Sequence, residues 1–185
     1  MTESEPLRDA FETALVEEAT KKSGLIWVRI GESAYAHAAW HVWLDGAAYV
    51  VTGGAEQPLP GLETATRVVV TVPSKDKGGR LVTWVARPHV LEPGCQQWAT
   101  AAPALHAKRL NARDGEQQPA RWARESLIVR LEPTGEVLER PGAMPTRSQA
   151  APPPPTRATT RGPLPFVIGR ATGRKRRRPP SPSPG

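Results

Sequence analysis

The sequence predicts an α+β domain built on a small antiparallel β-barrel. Three observations carry this. Six short runs rich in β-branched and aromatic residues are separated by turn signals. Two helical segments lie at the hinges between them. The strand–helix–strand alternation of a doubly wound sheet is absent.

Residues 5–22 read as an amphipathic helix. Ser4 suits the N-cap, and Pro6 falls in the first turn, where a missing N–H costs little. Glu5, Asp9 and Glu12 favour its positive end, and Lys21 and Lys22 its negative end. Leu7, Phe11, Ala14, Leu15 and Ala19 make one apolar stripe, and Ser23-Gly24 stops the helix. The first strand is Leu25–Ile30. The second and third, His37–Leu44 and Ala47–Thr52, flank Asp45-Gly46, a dipeptide that tolerates the positive φ angles of a tight hairpin. Arg67–Val72 is the fourth, and a polar turn over Lys75–Arg80 leads to the fifth, Leu81–Arg87, with Pro88 and Pro93 marking its exit. Cys95–Leu110 is the second helix, with Trp98, Ala102, Leu105 and Arg109 on one side. A short helical turn falls at Pro119–Arg124, and Ser126–Leu131 is the sixth strand, ended by Pro133-Thr134-Gly135.

Charge divides the 185 residues into two parts. The chain has 25 Lys and Arg against 18 Asp and Glu, a net of +7. Residues 141–185 hold nine of the basic residues, none of the acidic ones, and 12 of the 21 prolines. Residues 1–140 therefore carry 16 basic and 18 acidic side chains, a net of −2. The domain is expected over 1–140. The Pro/Arg-rich tail, 141–185, is expected to be disordered, because it cannot bury enough apolar surface to offset the entropy of ordering. The basic balance belongs to the tail, so a domain-wide nucleic-acid surface is not supported. Within the tail, Arg174–Arg178 is a run of five basic residues. It reads either as a solubilising extension or as a non-specific contact to phosphate backbones.

Several function classes are excluded by what is missing. A single cysteine, Cys95, rules out an internal disulfide and a multi-thiolate zinc site. No GxxxxGK[ST] loop, GxGxxG fingerprint, GxSxG elbow or HExxH pair is present. His37 and His41 are about 13 Å apart on a strand, too far to share a metal. No apolar run approaches the roughly 20 residues needed to span a bilayer. The N-terminus is acidic and lacks an apolar signal core, so a reducing, cytoplasmic setting is expected. Any redox chemistry would come from a bound cofactor.

Residues 20–131 then resemble the pyridoxamine-phosphate-oxidase-like, flavin-binding split barrels, small actinobacterial members in particular. The resemblance runs through the leading helix, GLIWVRIG, AWHVWLDGAAYVVTG, GGAEQPLPGL, RVVVTVPSKDKGGRLVTWVARPHVL, QQWATAAPALHAKRLN and RWARESLIVRLEP. It implies a six-stranded antiparallel split barrel with flanking helices. It also implies a homodimer with FMN, or the related deazaflavin coenzyme, in a groove between two barrels. The C-terminal basic motif with which family oxidases bind pyridoxamine phosphate is not visible.

The candidate cofactor-binding residues come from that resemblance and from the residue chemistry. His41 and Trp43 share one strand face, with Trp40, Val42 and Leu44 on the other. If the latter set faces the core, His41 and Trp43 are either ring neighbours or a packing pair. Thr52, Gly53 and Gly54 end the third strand, where glycine allows a phosphate or ribityl chain close to the backbone or simply makes a turn. Gln57 and Pro58 lie in the loop that contacts cofactor in family members. Arg67, Ser74, Lys75, Lys77 and Arg80 could grip a phosphate, or form a solvated turn that protects a strand edge. Lys108, Arg109 and Asn111 are a second choice for the phosphate. Trp84, Trp98 and Trp122 read as packing residues, and neither Cys95 nor any other residue is assigned a catalytic role. The leading expectation is a flavin- or deazaflavin-dependent oxidoreductase. The alternatives are a non-catalytic flavin carrier or sensor, and a nucleic-acid-associated protein acting through the tail.

Overall fold

In the computed structural model the chain runs α1 (Ser4–Lys22), β1 (Ile26–Ile30), β2 (Ala36–Ala39), β3 (Val42–Leu44), β4 (Ala47–Thr52), β5 (Val68–Pro73), β6 (Arg80–Leu91), α2 (Gln96–Lys108), a 3₁₀ turn (Gly115–Gln117), α3 (Gln118–Glu125) and β7 (Leu127–Glu139). The structure describes residues 4–33, 35–75, 79–110, 112 and 114–146, with side chains from residue 9 onward. Expectations for the side chains of Ser4, Glu5, Pro6 and Leu7, for Lys77 and Asn111, and for the tail beyond residue 146 lie outside the described residues. The elements named above all belong to one compact unit.

The strands form one antiparallel sheet in the order β2-β1-β5-β6-β7-β4-β3. Its two edge strands are consecutive in sequence. Only Trp40 and His41 separate Ala39 from Val42, a link of at most about 10 Å. The sheet must therefore roll up until its edges meet, and the result is a barrel split at one seam. Strand alternation fills the interior. Ile26, Val28 and Ile30, Val68, Val70 and Val72, Val82 and Trp84, and Val129 and Leu131 all point into a single cluster.

A second apolar layer lies outside the barrel. Every residue of β4 is buried, so both of its faces are covered. Ala48 and Val50 face the barrel interior. Tyr49 and Val51 join Ile128 of β7 under α2 and α3, where Ala101, Ala102, Leu105 and Trp122 cover them. Cys95 caps α2, its sulfur accepting the N–H of Trp98 at 3.3 Å. It thus has a structural role where the sequence offered none.

Several elements depart from the expected boundaries. The expected strand over residues 37–44 is two strands, β2 and β3, which makes the sheet seven-stranded rather than six-stranded. The break lies at Trp40-His41, where the chain crosses the seam and leaves one ladder for another. Pro88 does not end β6. Past Ala86 that strand pairs only with β7, and a proline is tolerated where one side of a strand is unpaired. Pro133-Thr134-Gly135 does not end β7 either. The strand continues to Glu139, with register shifts opposite Thr83–Ala86 absorbing the irregular residues. On α1 the buried face is Val16, Ala19 and Thr20, while Phe11 is 59% exposed.

The seam is held by a side chain. Trp40 donates its backbone N–H to Gln57 Oε1 at 2.8 Å, and Gln57 Nε2 donates to the backbone carbonyls of Trp40 at 3.0 Å and Val51 at 3.1 Å. The Gln57 amide thus supplies the rung that no strand supplies. Gln57→Ala leaves the Trp40 N–H without this partner, a cost of roughly 1–3 kcal/mol. Urea denaturation is expected to show a lowered midpoint with an unchanged m-value; a wild-type midpoint would mean that the seam does not depend on the amide.

Candidate functional site

The residues singled out by sequence fall into two groups in space. His41, Trp43, Thr52, Gly53, Gln57 and Pro58 lie on or beside the seam. Ser74, Lys75 and Arg80 come together at the β5–β6 turn, closed by the Ser74 N–H to Gly79 O bond of 2.6 Å. Arg67 stands at the other end of β5, about 20 Å away along the strand, where it makes a double contact of 2.9 Å to the Glu136 carboxylate.

At the seam the polar groups are committed to the fold. Thr52 donates its hydroxyl to Gln57 O at 2.9 Å and accepts the Leu59 N–H at 3.0 Å. Gly53 and Gly54 have φ angles of 84° and 58°, in the left-handed region. A Cβ on Gly54 would meet Glu125 O at 2.8 Å, so the close approach is to the α3–β7 junction and not to open groove. Pro58 is exposed. His41 and Trp43 are both buried, and so is Val42 between them, while Trp40 and Leu44 are partly buried. His41 is 3% exposed and Trp43 9%. Trp43 packs inside the barrel edge-to-face on Trp84, with ring centroids 6.1 Å apart. His41 Nε2 lies 2.9 Å from the Thr20 carbonyl, which can only accept, so the neutral ring carries its proton there.

Next to the seam is a buried ionic hub that the sequence did not reveal. The Glu56 side chain is 1% exposed. Its Oε2 accepts Arg109 Nε at 3.0 Å. Its Oε1 accepts Gln118 Nε2 at 2.8 Å, Trp122 Nε1 at 2.9 Å and Arg121 Nη2 at 3.3 Å. Arg121 is further paired with Asp114, and Arg109 lies over the Trp40 ring, 5.7 Å from its centroid. One carboxylate therefore ties the β4–β5 loop to α2 and α3. Nothing local in Gly-Gly-Ala-Glu-Gln-Pro marks this role, since all of its partners are more than fifty residues away.

The second group sits at the end of an outward-facing row. Trp27, Thr71, Thr83 and Glu139 are register partners across β1, β5, β6 and β7, so their side chains share one face. The two threonine hydroxyls are 3.2 Å apart, Thr83 donates to Glu139 Oε2 at 3.0 Å, and Arg80 Nε donates to the same oxygen at 2.8 Å. At the β1 end Trp27 is 40% exposed. Thr71 is three residues from Ser74, about 10 Å of strand. The exposed indole and the hydroxyl pair thus share one side of the sheet, and β5 runs on from Thr71 to the Ser74–Lys75 turn, where Lys75 is exposed. Trp27 could have been found by its pattern, as the aromatic on the outward side of an Ile-Trp-Val-Arg-Ile alternation.

The buried groups can be tested directly. Glu56→Leu leaves two arginines facing one another without their carboxylate, at a cost of about 3–5 kcal/mol. Glu56→Gln is expected to be milder. Equal midpoints for Glu56→Leu and wild type in thermal unfolding would remove the hub from the account. Burial pushes the His41 pKa below its ordinary value, with Lys108 adding to the effect and the Thr20 carbonyl bond opposing it. The unfolded chain therefore takes up a proton, near pH 6.5, before the folded one does. Stability is expected to fall as pH drops below about 6.5, and the slope in that window to flatten in His41→Gln.

No protein-family model matches the chain, and no curated protein matches it. Solved structures do match. The heme storage protein HutZ from Vibrio cholerae is 13% identical, with 66% of this chain and 90% of HutZ covered at a TM-score of 0.50. An FAD-binding protein from Mesorhizobium loti is 14% identical over 68% and 87% of the two chains, at 0.45. The flavocytochrome Anf3 from Azotobacter vinelandii is 15% identical over 82% and 86%, at 0.40. At such identities the likeness is one of fold, and the HutZ superposition carries it. The chain has the split-barrel fold of the pyridoxamine-phosphate-oxidase-like proteins that its sequence resembles.

Proposed function

We propose that this chain is a flavin-type oxidoreductase that binds FMN, or the related deazaflavin coenzyme, in a groove between two copies. The observation that supports the reading is the exposed Trp27 beside Thr71 on the outer side of β1 and β5, with the Ser74–Lys75 turn at the end of β5. An exposed indole offers a surface to a planar ring. A hydroxyl and a cation about 10 Å along the strand offer a phosphate a charge-assisted grip. In kind, these residues fit a flavin mononucleotide. Leu25, Trp27 and Tyr35, each close to 40% exposed on or beside β1, support a second copy closing the groove. The bound cofactor would supply the hydride chemistry, and the chain would bind it, orient it and exclude water.

A second reading, a non-catalytic carrier or sensor, is favoured by the state of the arginines. Arg67 already holds Glu136, and Arg80 already holds Glu139, so a phosphate there competes with an internal carboxylate. Fewer cations are then available than a tight phosphate site would use.

The test is fluorescence titration of the purified protein with each cofactor, together with its visible spectrum as isolated. Binding of one cofactor is expected, with Lys75→Ala weakening it about tenfold or more and Trp27→Ala weakening both binding and self-association in sedimentation. Failure of both cofactors to bind would overturn the proposal. Binding without turnover of the reduced cofactor across a panel of acceptors would select the carrier.

A further inference from the structure

The outer face of β1 is set by alternation. Ile26, Val28 and Ile30 point into the barrel, so Trp27 and Arg29 point outward. Trp27 has Ala38 of β2 opposite it on one side and Thr71 of β5 on the other. Ala38 is exposed and offers only a methyl group, and Thr71 is partly buried. A planar ring lying on the indole therefore meets little on the β2 side and a hydroxyl on the β5 side.

The direction of that hydroxyl follows from its neighbours. The Glu139 carboxylate, bonded to Arg80, only accepts. Thr83 therefore gives its one proton to Glu139, at 3.0 Å. The Thr71–Thr83 contact of 3.2 Å then uses the Thr71 proton, which points at Thr83 Oγ1. What Thr71 has left for a ligand is lone pairs. It accepts, and while the chain of bonds holds it does not donate to a phosphate.

Beside this acceptor stands a donor. Arg29 is partly buried and lies diagonal to Thr71 across the β1–β5 ladder. That diagonal is roughly 7–8 Å, within reach of a long side chain. Arg67 and Arg80 are held by Glu136 and Glu139. Arg29 has no ion-pair partner among the described residues. An acceptor next to a donor matches a ligand edge that carries an N–H next to a carbonyl.

We propose that Thr71 and Arg29 read the imide edge of a flavin-type ring lying on Trp27, Thr71 accepting the ring N3–H and Arg29 donating to an adjoining carbonyl. This rests on the reading of this face as the cofactor's, and adds which edge of the ring is held. Oxidised flavins and deazaflavins share that edge, with a single ring N–H between two carbonyls. Trp27 and Thr71 are direct cross-strand partners, about 5 Å apart at Cβ, so the group that meets Thr71 belongs to the ring. The phosphate end then lies farther along β5, toward Ser74 and Lys75.

The probe pair is FMN and 3-methyl-FMN, with the same pair on the 5-deazaflavin ring. Methylation removes the N–H and keeps the carbonyls and the phosphate. Binding to the full-length protein is followed by fluorescence titration. Wild type is expected to bind the unmethylated member about tenfold more tightly. Thr71→Val, similar in shape, is expected to weaken that member about tenfold and to abolish the preference. Thr71→Ser, which keeps the hydroxyl, is expected to retain the preference. Arg29→Leu is expected to weaken both members alike, about tenfold, because both keep the carbonyls. Equal affinity of wild type for the two members, a preference that survives in Thr71→Val, or wild-type affinity in Arg29→Leu overturns this assignment and leaves flavin binding standing. Failure of all four probes to bind overturns both the assignment and the cofactor reading.

Discussion

Everything in this molecule hangs on closing a sheet whose two edges are neighbours in sequence. Ala39 ends one edge and Val42 begins the other. Two residues cannot bridge an open seven-stranded sheet, so curvature is imposed by chain length before any side chain packs. The closed barrel then needs a partner for the backbone left at the break, and Gln57 provides it. The loop that carries Gln57 is in turn fixed by Thr52 on one side and Glu56 on the other. A short segment between β4 and β5 thus serves as the fastener of the fold.

That use of the loop bears on function. A loop whose hydroxyl, amide and carboxylate are bonded internally offers little to a ligand. The exposed aromatic surface lies elsewhere, at Trp27 on the outward face of β1.

Strand alternation was legible because it is local. Ile26, Val28 and Ile30 or Val68, Val70 and Val72 declare a buried face in their own sequence, and the structure puts them there. The helix over Gln96–Lys108 and the Asp45-Gly46 hairpin were legible for the same reason. The faces of the segment around His41 were not. The alternation argument assumes one strand with one solvent face, and here the chain changes ladders and His41, Val42 and Trp43 are all buried. The prolines of β6 and β7 misled in a similar way. Proline stops a strand that is paired on both sides, and whether a strand is so paired is a property of the sheet.

Element types, the near-neutral domain with its basic tail, and the split-barrel resemblance could all be read from the amino acids alone. These depend on composition and on periods of two and of 3.6 residues, which any short window contains. Which cations meet carboxylates could not be read that way and came only with the folded chain. Arg67 and Glu136, Arg80 and Glu139, and Glu56 with Arg109 and Arg121 are separated by more than fifty residues in each case. An arginine in the sequence is a cation looking for an anion. Whether that anion is a ligand or the protein's own glutamate is settled by which strands the closing of the barrel brings side by side.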